Sequence, residues 1–477
     1  MPNIIPHAFV TIGLLIGASL IPASAQELLV DCTKPIGRIR PLHGVNNGPL
    51  QGGELVNTSD CFKAISVPYT RLHDCNWPNP DVVDIHAIFR NPAADPADPA
   101  SYDFRRTDDF LKALAATGSK VVYRLGESIE HTKRKYHVNP PTDPDRWAAA
   151  CLGVIRHYNE GWADGFHYNI RYWEIWNEPE NRPQMWTGSD DDFLRLYEAA
   201  TRTIKAKFPD LKVGGPGFGY SGKFVNGRFE PSELLLKLLG HCRRKSLSLD
   251  FLSWHLYTND PAECIARARA LRTLLNEQGF SSSELHFNEW NYLPDNDWGP
   301  LGKPTQARAT EEYFSKVSGP AGAAFAACVL VNLQDSPVDV ANFYSADTQG
   351  FGMFSTYGVP HKTFYAFKAF RMLLDTPLRL ETHGSQPSRI VVCAGTNADK
   401  SEVRIVVSNF NSADPGVKLT VQGLPWKGPT LCRGWVVDAE RELVAGKEIE
   451  LSGESPIITQ ELKAPAVSLV SLTPRGR

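Results

Sequence analysis

Apolar positions recur along this chain in two alternating rhythms. Short β-favouring runs, such as Val121-Val122-Tyr123-Arg124-Leu125 and Phe251-Leu252-Ser253-Trp254-His255-Leu256-Tyr257, alternate with longer segments whose apolar residues return every three or four positions. The segment from Arg105 to Thr117 sets Phe110, Leu111 and Leu114 on one face and meets Gly118, a residue suited to ending a helix. Helical spacing returns from Trp147 to Tyr158, from Phe193 to Phe208 with Leu194, Tyr197 and Ile204 inward, and from Lys362 to Leu374 with Phe364, Phe367 and Phe370 inward. An alanine-rich segment from Arg308 to Leu333 repeats it with a break at Gly319-Pro320. Strands alternating with helices predict an α/β chain, a (β/α)8 TIM barrel over residues 36–375. Its first strand is read from Arg38 to Asn46, its second from Val67 to Asp74 and its eighth from Val338 to Tyr344.

Beyond Pro377 the rhythm changes to short alternating strands, such as Val403-Arg404-Ile405-Val406-Val407 and Trp435-Val436-Val437, divided by Asn, Asp, Gly and Pro. That pattern predicts a β-sandwich accessory domain over 376–477. The strand Leu28-Leu29-Val30, within 27–34, precedes the barrel and has no partner there, so it is expected to join the sandwich.

Two strands break off into chemistry. Tyr172-Trp173-Glu174-Ile175-Trp176 is bulky and β-favouring, then gives way to Asn177-Glu178-Pro179, where proline cannot continue a ladder. Glu284-Leu285-His286-Phe287 likewise runs into Asn288-Glu289-Trp290. Barrel enzymes collect their reactive groups at the C-terminal ends of different strands, so these glutamates need not be neighbours in sequence. Paired carboxylates are what glycosidic-bond cleavage requires: one protonates the departing oxygen, and the other attacks the sugar carbon or activates water. His255 and Tyr257, two apart on a strand, project to the same side, and His255 is placed at the same relative height as the two glutamates. Glu174 alternates away from Trp173 and is read as structural, whereas Glu127, after the third strand, is a further rim carboxylate. Gly214-Gly215-Pro216-Gly217 lacks the Lys-Ser/Thr of a phosphate loop and is read as a tight strand-end turn.

Composition narrows the classes. The chain has 477 residues, 42% hydrophobic and 22% charged, with a formal net charge of −3, which suits a large folded core and lacks the basic footprint of a nucleic-acid binder. The apolar run from Phe9 to Ile21, then Ala23-Ser24-Ala25, reads as a signal peptide over residues 1–25 cut before Gln26, and predicts a secreted or periplasmic protein. No later stretch is apolar and long enough to suggest a membrane span. The nine cysteines are scattered, without the close doublets of a zinc site, so no metal and no cofactor are expected. Cys61 and Cys75 flank one strand and are candidates for a bridge; Cys151 and Cys328 sit in apolar helical patterns and read as buried thiols.

Trp176-Asn177-Glu178-Pro179, Asn288-Glu289-Trp290, Ser253-Trp254-His255-Leu256-Tyr257 and above all Gly350-Phe351-Gly352-Met353-Phe354 with Gly358-Val359-Pro360-His361-Lys362-Thr363-Phe364-Tyr365-Ala366-Phe367 resemble glycoside hydrolase family 39. That family includes β-xylosidases and α-L-iduronidases, and the resemblance runs from Asn46 through the last barrel helix. It implies that Glu178 is the general acid/base, that Asn177 binds the sugar 2-hydroxyl, and that Glu289 is the nucleophile. A retaining pair would lie roughly 5–5.5 Å apart, with Glu178 raised in pKa and Glu289 ionised. Arg71, His255 and Tyr257 suit the task of holding Glu289 charged, and His73, Asn46 and Trp290 are the next candidates for sugar contacts. The loops at Leu72-His73-Asp74-Cys75-Asn76-Trp77, Gly126-Glu127-Ser128 and Tyr292 to Trp298 depart from better-known members, which leaves the sugar open. The expected function is an exo-acting, β-xylosidase-like retaining hydrolase on an oligo- or polysaccharide; an endo-acting glycanase and a non-catalytic carbohydrate-binding barrel stand as alternatives.

Overall fold

A computed structural model describes residues 25–53, 55–75, 81–302 and 306–476. The leader expected over 1–25 lies outside these residues except for Ala25, and so do Asn76 and Trp77.

Eight parallel strands close a barrel in chain order: Gly44–Asn46, Tyr69–Leu72, Lys120–Leu125, Tyr172–Ile175, Lys212–Phe218, Phe251–Thr258, Glu284–Tyr292 and Val340–Phe343. Closure comes from pairing of the last strand with the first, Asn342 opposite Gly44. The first strand is shorter than its apolar pattern suggests, because Pro41 has no N–H for a ladder and Arg38 belongs to another sheet. The fourth stops at Ile175, before the expected Trp176. Trp176 and Glu178 both take positive φ, 69° and 43°, so the backbone turns sharply and leaves the sheet there.

The glycine run is not a strand-end turn but part of the fifth strand. A Cβ on Gly214 would stand 2.1 Å from the Phe251 carbonyl oxygen. Gly217, at φ 63°, leaves room for Arg71, Asn177 and His255, which a Cβ would meet at 2.9–3.1 Å. The run therefore admits neighbouring side chains into the barrel.

After the helix Lys362–Leu373 the chain adds nine strands, which with the early strand Ala25–Arg38 form one continuous ten-stranded mixed sheet, curled so that its strands enclose a core of their own. The strand Ala25–Arg38 is inside this sheet, antiparallel to Leu378–His383 and parallel to Gly416–Gln422. Period-two alternation explains the packing. In Ile390–Thr396, the residues Ile390, Val392 and Ala394 fill the sheet's own core, while Val391 and Cys393 join the barrel core. The helix Pro320–Asn332, buried on every side from Gly322 onward, is wedged between the two units, and Ser408 donates to the Ala324 carbonyl.

All nine cysteines are free thiols, so the suggested Cys61–Cys75 bridge is absent. Cys75 is buried with its Sγ 3.5 Å from Asn47 Oδ1, while Cys61 lies on the helix Ser59–Ile65. Among the described residues no single helix is long and apolar enough to cross a membrane.

Candidate active site

A cavity of about 890 Å³ opens where the strands deliver their C-terminal ends, and its walls include Glu178 and Glu289 together with His73, Asn177, His255 and Tyr257. A β-bulge aims Glu289. Trp254 pairs with Phe287 and His255 with Glu289, so Asn288 is an extra residue in the seventh strand. The consequence is that Asn288 and Glu289 both face inward. Asn288 donates to Glu174, and Glu289 Oε1 accepts from Tyr257 Oη at 2.7 Å.

Below the pocket lies a buried ionic floor. Arg71, wholly enclosed, donates from Nε to Glu174 Oε2 at 2.7 Å, from Nη1 to Glu289 Oε2 at 3.1 Å and from Nη2 to Asn177 Oδ1 at 2.5 Å. Glu174 also accepts from Ser253 at 2.5 Å. Charge on Arg71 is thus shared between a structural carboxylate and a pocket carboxylate, which is how a buried cation is kept satisfied. Because the Asn177 oxygen is taken by Arg71, its amide N–H groups remain for the cavity.

Glu178 is held between two donors: His255 Nδ1 lies 2.7 Å from Oε1, and Asn181 Nδ2 donates to Oε2 at 2.9 Å. One ligand atom each from Glu178, His255 and Glu289 all lie within 4.8 Å of one another. Burial pushes the Glu178 carboxyl up, but the His255 hydrogen bond and charge outweigh it and hold it below the usual range. His255 moves oppositely: burial works against its charge, yet Glu289 and Glu178 raise it. This reverses the expectation that Glu178 itself has a raised pKa. The contact thus draws the proton of the pair toward the imidazole. Tyr257 is pushed well up by burial and by Glu289, and so stays an O–H donor.

Two further acids face the cavity. Asp74, at φ 55°, is raised to about 7 by burial against the Ile129 N–H, with Glu289 adding to the rise. Glu180 is raised to about 7 by burial and by the charge of Glu178. His73 is buried and kept neutral, burial and the Arg124 and Arg71 charges pushing it well down. Near the rim, His86 Nδ1 lies 2.5 Å from Glu127 Oε2 and stacks on His137 with ring centroids 3.6 Å apart. Asp84, His86 and Glu127 bring ligand-capable atoms within 4.8 Å of one another, as do Glu178, His255 and Glu289. In both triads the imidazole nitrogen is already closed on a carboxylate through a short hydrogen bond.

A profile of the glycosyl hydrolases family 39 matches residues 59–415. The chain belongs to glycosyl hydrolase family 39. Among its family relatives, it is 25% identical over 290 residues to a β-xylosidase of Geobacillus stearothermophilus, spanning 55% of this chain and 51% of that one. It is 22% identical over 386 residues to a β-xylosidase of Caldicellulosiruptor saccharolyticus, covering 74% of this chain and 70% of that one. The chain thus spans about half the length of the first relative. The crystal structure of a glucosidase from Croceicoccus marinus superposes with a TM-score of 0.78 at 25% identity, covering 95% of this chain and all of that one. A monomeric β-xylosidase from Caulobacter crescentus superposes at 0.71 with 16% identity, over 95% of this chain and 100% of that one, and shares the fold.

Not every residue singled out from the sequence reaches the family 39 pocket. Trp290 follows the bulge and turns outward, buried against Phe287, Phe343 and Phe367, so it is a core residue and not a sugar contact. Asn46 is also enclosed: its amide donates to the carbonyls of Asn288 and Asn342, and its oxygen accepts from Arg71 at 3.3 Å, which makes it a support for the floor. Glu127 is engaged by His86, away from the cavity lining. Sequence reasoning passed over Asp74, Glu180, Tyr220 and Tyr344 as pocket walls. Asp74 and Glu180 were visible as acids one or two positions from assigned residues, and Tyr344 as the last residue of the expected eighth strand, but Tyr220 carried no local signal.

Proposed function

We propose that this family 39 chain is a retaining, exo-acting glycosidase that removes β-linked xylose-like residues from oligosaccharides. The observation that carries the reading is the meeting of Glu178 and Glu289 about one His255, with atoms within 4.8 Å. That spacing supports retention, because an inverting pair stands roughly 6.5–9.5 Å apart to admit water. Glu289 attacks the anomeric carbon as the glycosidic C–O bond breaks, and the proton held by the Glu178–His255 pair passes through Glu178 to the leaving oxygen. Water then attacks the glycosyl-enzyme, loses a proton to Glu178, and frees Glu289. Arg71 and Tyr257 hold the nucleophile in place between its two turns, and the free Asn177 N–H groups are suited to the sugar 2-hydroxyl.

Exo action is supported by a packed wall beside the nucleophile: Trp298 meets Tyr257 at 5.0 Å, and Phe314 meets Phe351 at 5.3 Å. A glucoside is the second reading, favoured by the superposition on the Croceicoccus marinus glucosidase. Export by the N-terminal leader is part of the proposal and is checked by sequencing the mature N-terminus, which is expected at Gln26.

The test is hydrolysis of nitrophenyl xyloside, glucoside, arabinosides, galactosides and fucoside by the wild type, Glu178→Ala and Glu289→Ala. Expected are release from the xyloside, abolition in Glu289→Ala, and azide rescue in Glu178→Ala. Silence across the panel would favour endo action or binding alone, and unchanged activity in either variant would overturn the assignment.

A further inference from the structure

The pocket is chemically two-sided. Around Glu289 stand Tyr257, Tyr344, Trp298, Leu301, Phe314 and Phe351, a mostly aromatic wall. Around Glu178 stand Asn181, Gly219, Tyr220 and Glu180, which are polar or open. The general acid touches the oxygen that joins the two sugars, so groups beyond Glu178, on the side away from Glu289, meet what departs.

Glu180 is unusual there. Its Oε1 accepts the Tyr220 N–H at 2.7 Å, while Oε2 is buried and has no hydrogen-bond partner among the described residues. A buried polar atom left alone is costly unless something arrives to satisfy it. The same N–H bond ties Glu180 to Tyr220, whose residue remains 50% exposed at the pocket mouth. Gly219 makes the place possible: a Cβ on it would stand 2.4 Å from Glu178 Oε1, so any other residue would press on the acid and fill the opening beside it. An exposed aromatic face and an unsatisfied carboxyl, linked through one backbone bond, match a sugar ring with its apolar face and its hydroxyl edge.

We propose that Glu180 and Tyr220 form the leaving-group subsite, in which Tyr220 stacks on the departing sugar and the Glu180 carboxyl bonds one of its hydroxyls. This rests on the glycosidase reading and adds to it a leaving group that is itself a sugar. Burial and the neighbouring Glu178 charge, which raise Glu180 to about 7, give a carboxyl able to donate to that hydroxyl as well as accept from it. Glu180 is a specificity residue here and not a participant in proton transfer.

The experiment compares two substrates of the same glycone, a β-linked disaccharide and the glycosyl fluoride, whose departing fluoride leaves this subsite empty. Wild type, Glu180→Gln and Tyr220→Ala are assayed for kcat/KM on both. A loss on the disaccharide about tenfold larger than on the fluoride, in both variants, is expected. Equal losses on the two substrates, no loss on the disaccharide, or a wild type that cleaves only the fluoride would each overturn the subsite. A wild type inert on both would instead overturn the glycosidase reading. Circular dichroism of each variant confirms that the fold is retained, and Glu180→Asp provides a second acid-retaining variant if Glu180→Gln fails to fold.

Discussion

His255 Nδ1 stands 2.7 Å from Glu178 Oε1 and 3.7 Å from Glu289 Oε2, so a single imidazole faces both carboxylates of the pocket. The pair Glu178–His255 shares a proton that neither residue would hold in the same way alone. Glu178 is lowered and His255 raised by that contact, against burial in each case.

In the proposed mechanism, loss of this shared proton is expected to set the alkaline limb of activity. Because His255 is raised, the limb in the wild type is expected above the ordinary imidazole value of 6.5. In His255→Ala the proton can reside only on Glu178, and the limb is expected to move to lower pH, with kcat/KM reduced. A pH profile of kcat/KM for both proteins checks this, and an unmoved limb would refute the shared proton.

Tyr257→Phe removes the O–H that Glu289 Oε1 accepts while keeping the ring against Trp298 and Phe351. A hydrogen bond to a charged group is worth about 1.5–3 kcal/mol, so a fall in kcat/KM of roughly ten- to hundredfold is expected without loss of fold. Kinetics with a thermal melt on the same preparation separate the two effects.

Arg71→Met strands both Glu174 and Glu289 in the barrel interior. Removing one partner of a buried pair costs about 3–5 kcal/mol, and denaturant unfolding is expected to show a loss of that order. Adding Glu174→Gln, which replaces the stranded charge by an amide, is expected to restore part of the stability but not the activity. A double variant no more stable than Arg71→Met would show that Glu174 is not the buried charge at issue.

The rim pair gives a pH dependence of stability. Burial opposes a charge on His86, but the Glu127 hydrogen bond and the charges of Glu127, Asp84 and Asp81 outweigh it and raise His86 to about 9. A folded value above the unfolded one means that the stabilisation is complete below pH 6.5 and is lost as pH climbs through about 9. Glu127, raised to about 7 chiefly by burial, works in the other direction as it ionises. His86→Ala is expected to lower Tm most at or below pH 6.5, with the gap to the wild type closing by pH 9.5 (roughly half a unit past the His86 value); a gap independent of pH would be against this assignment.

The barrel was legible because its strands and helices keep different apolar periods, and Glu178 and Glu289 were legible because each ends an apolar run in Asn-Glu. What sequence spacing could not supply was depth. Trp290 beside a pocket glutamate looked like a sugar platform, yet alternation past the Asn288 bulge turns it into the core. Asn46 stands at a strand end like the true pocket residues, but the closing contact between the first and last strands buries it. The direction of the Glu178 shift depends on which nitrogen of which histidine comes within 2.7 Å, a relation between residues 77 positions apart. Glu180 lay next to the assigned motif and was silent, because its meaning comes from Tyr220 on a different loop.

The strand Ala25–Arg38 pairs with Leu378–His383 on one side and Gly416–Gln422 on the other. Both neighbours lie beyond the whole barrel in the sequence, so this strand waits for the barrel to emerge before it can pair. At about 5–20 residues per second, that wait lasts on the order of tens of seconds. Throughout it, a strand with two unpaired edges is left without its sheet. Completion of this sheet thus ties a segment ahead of the barrel to segments beyond it, and a chain cut before Leu378 leaves this strand unpaired and open to capture by another copy or by a protease.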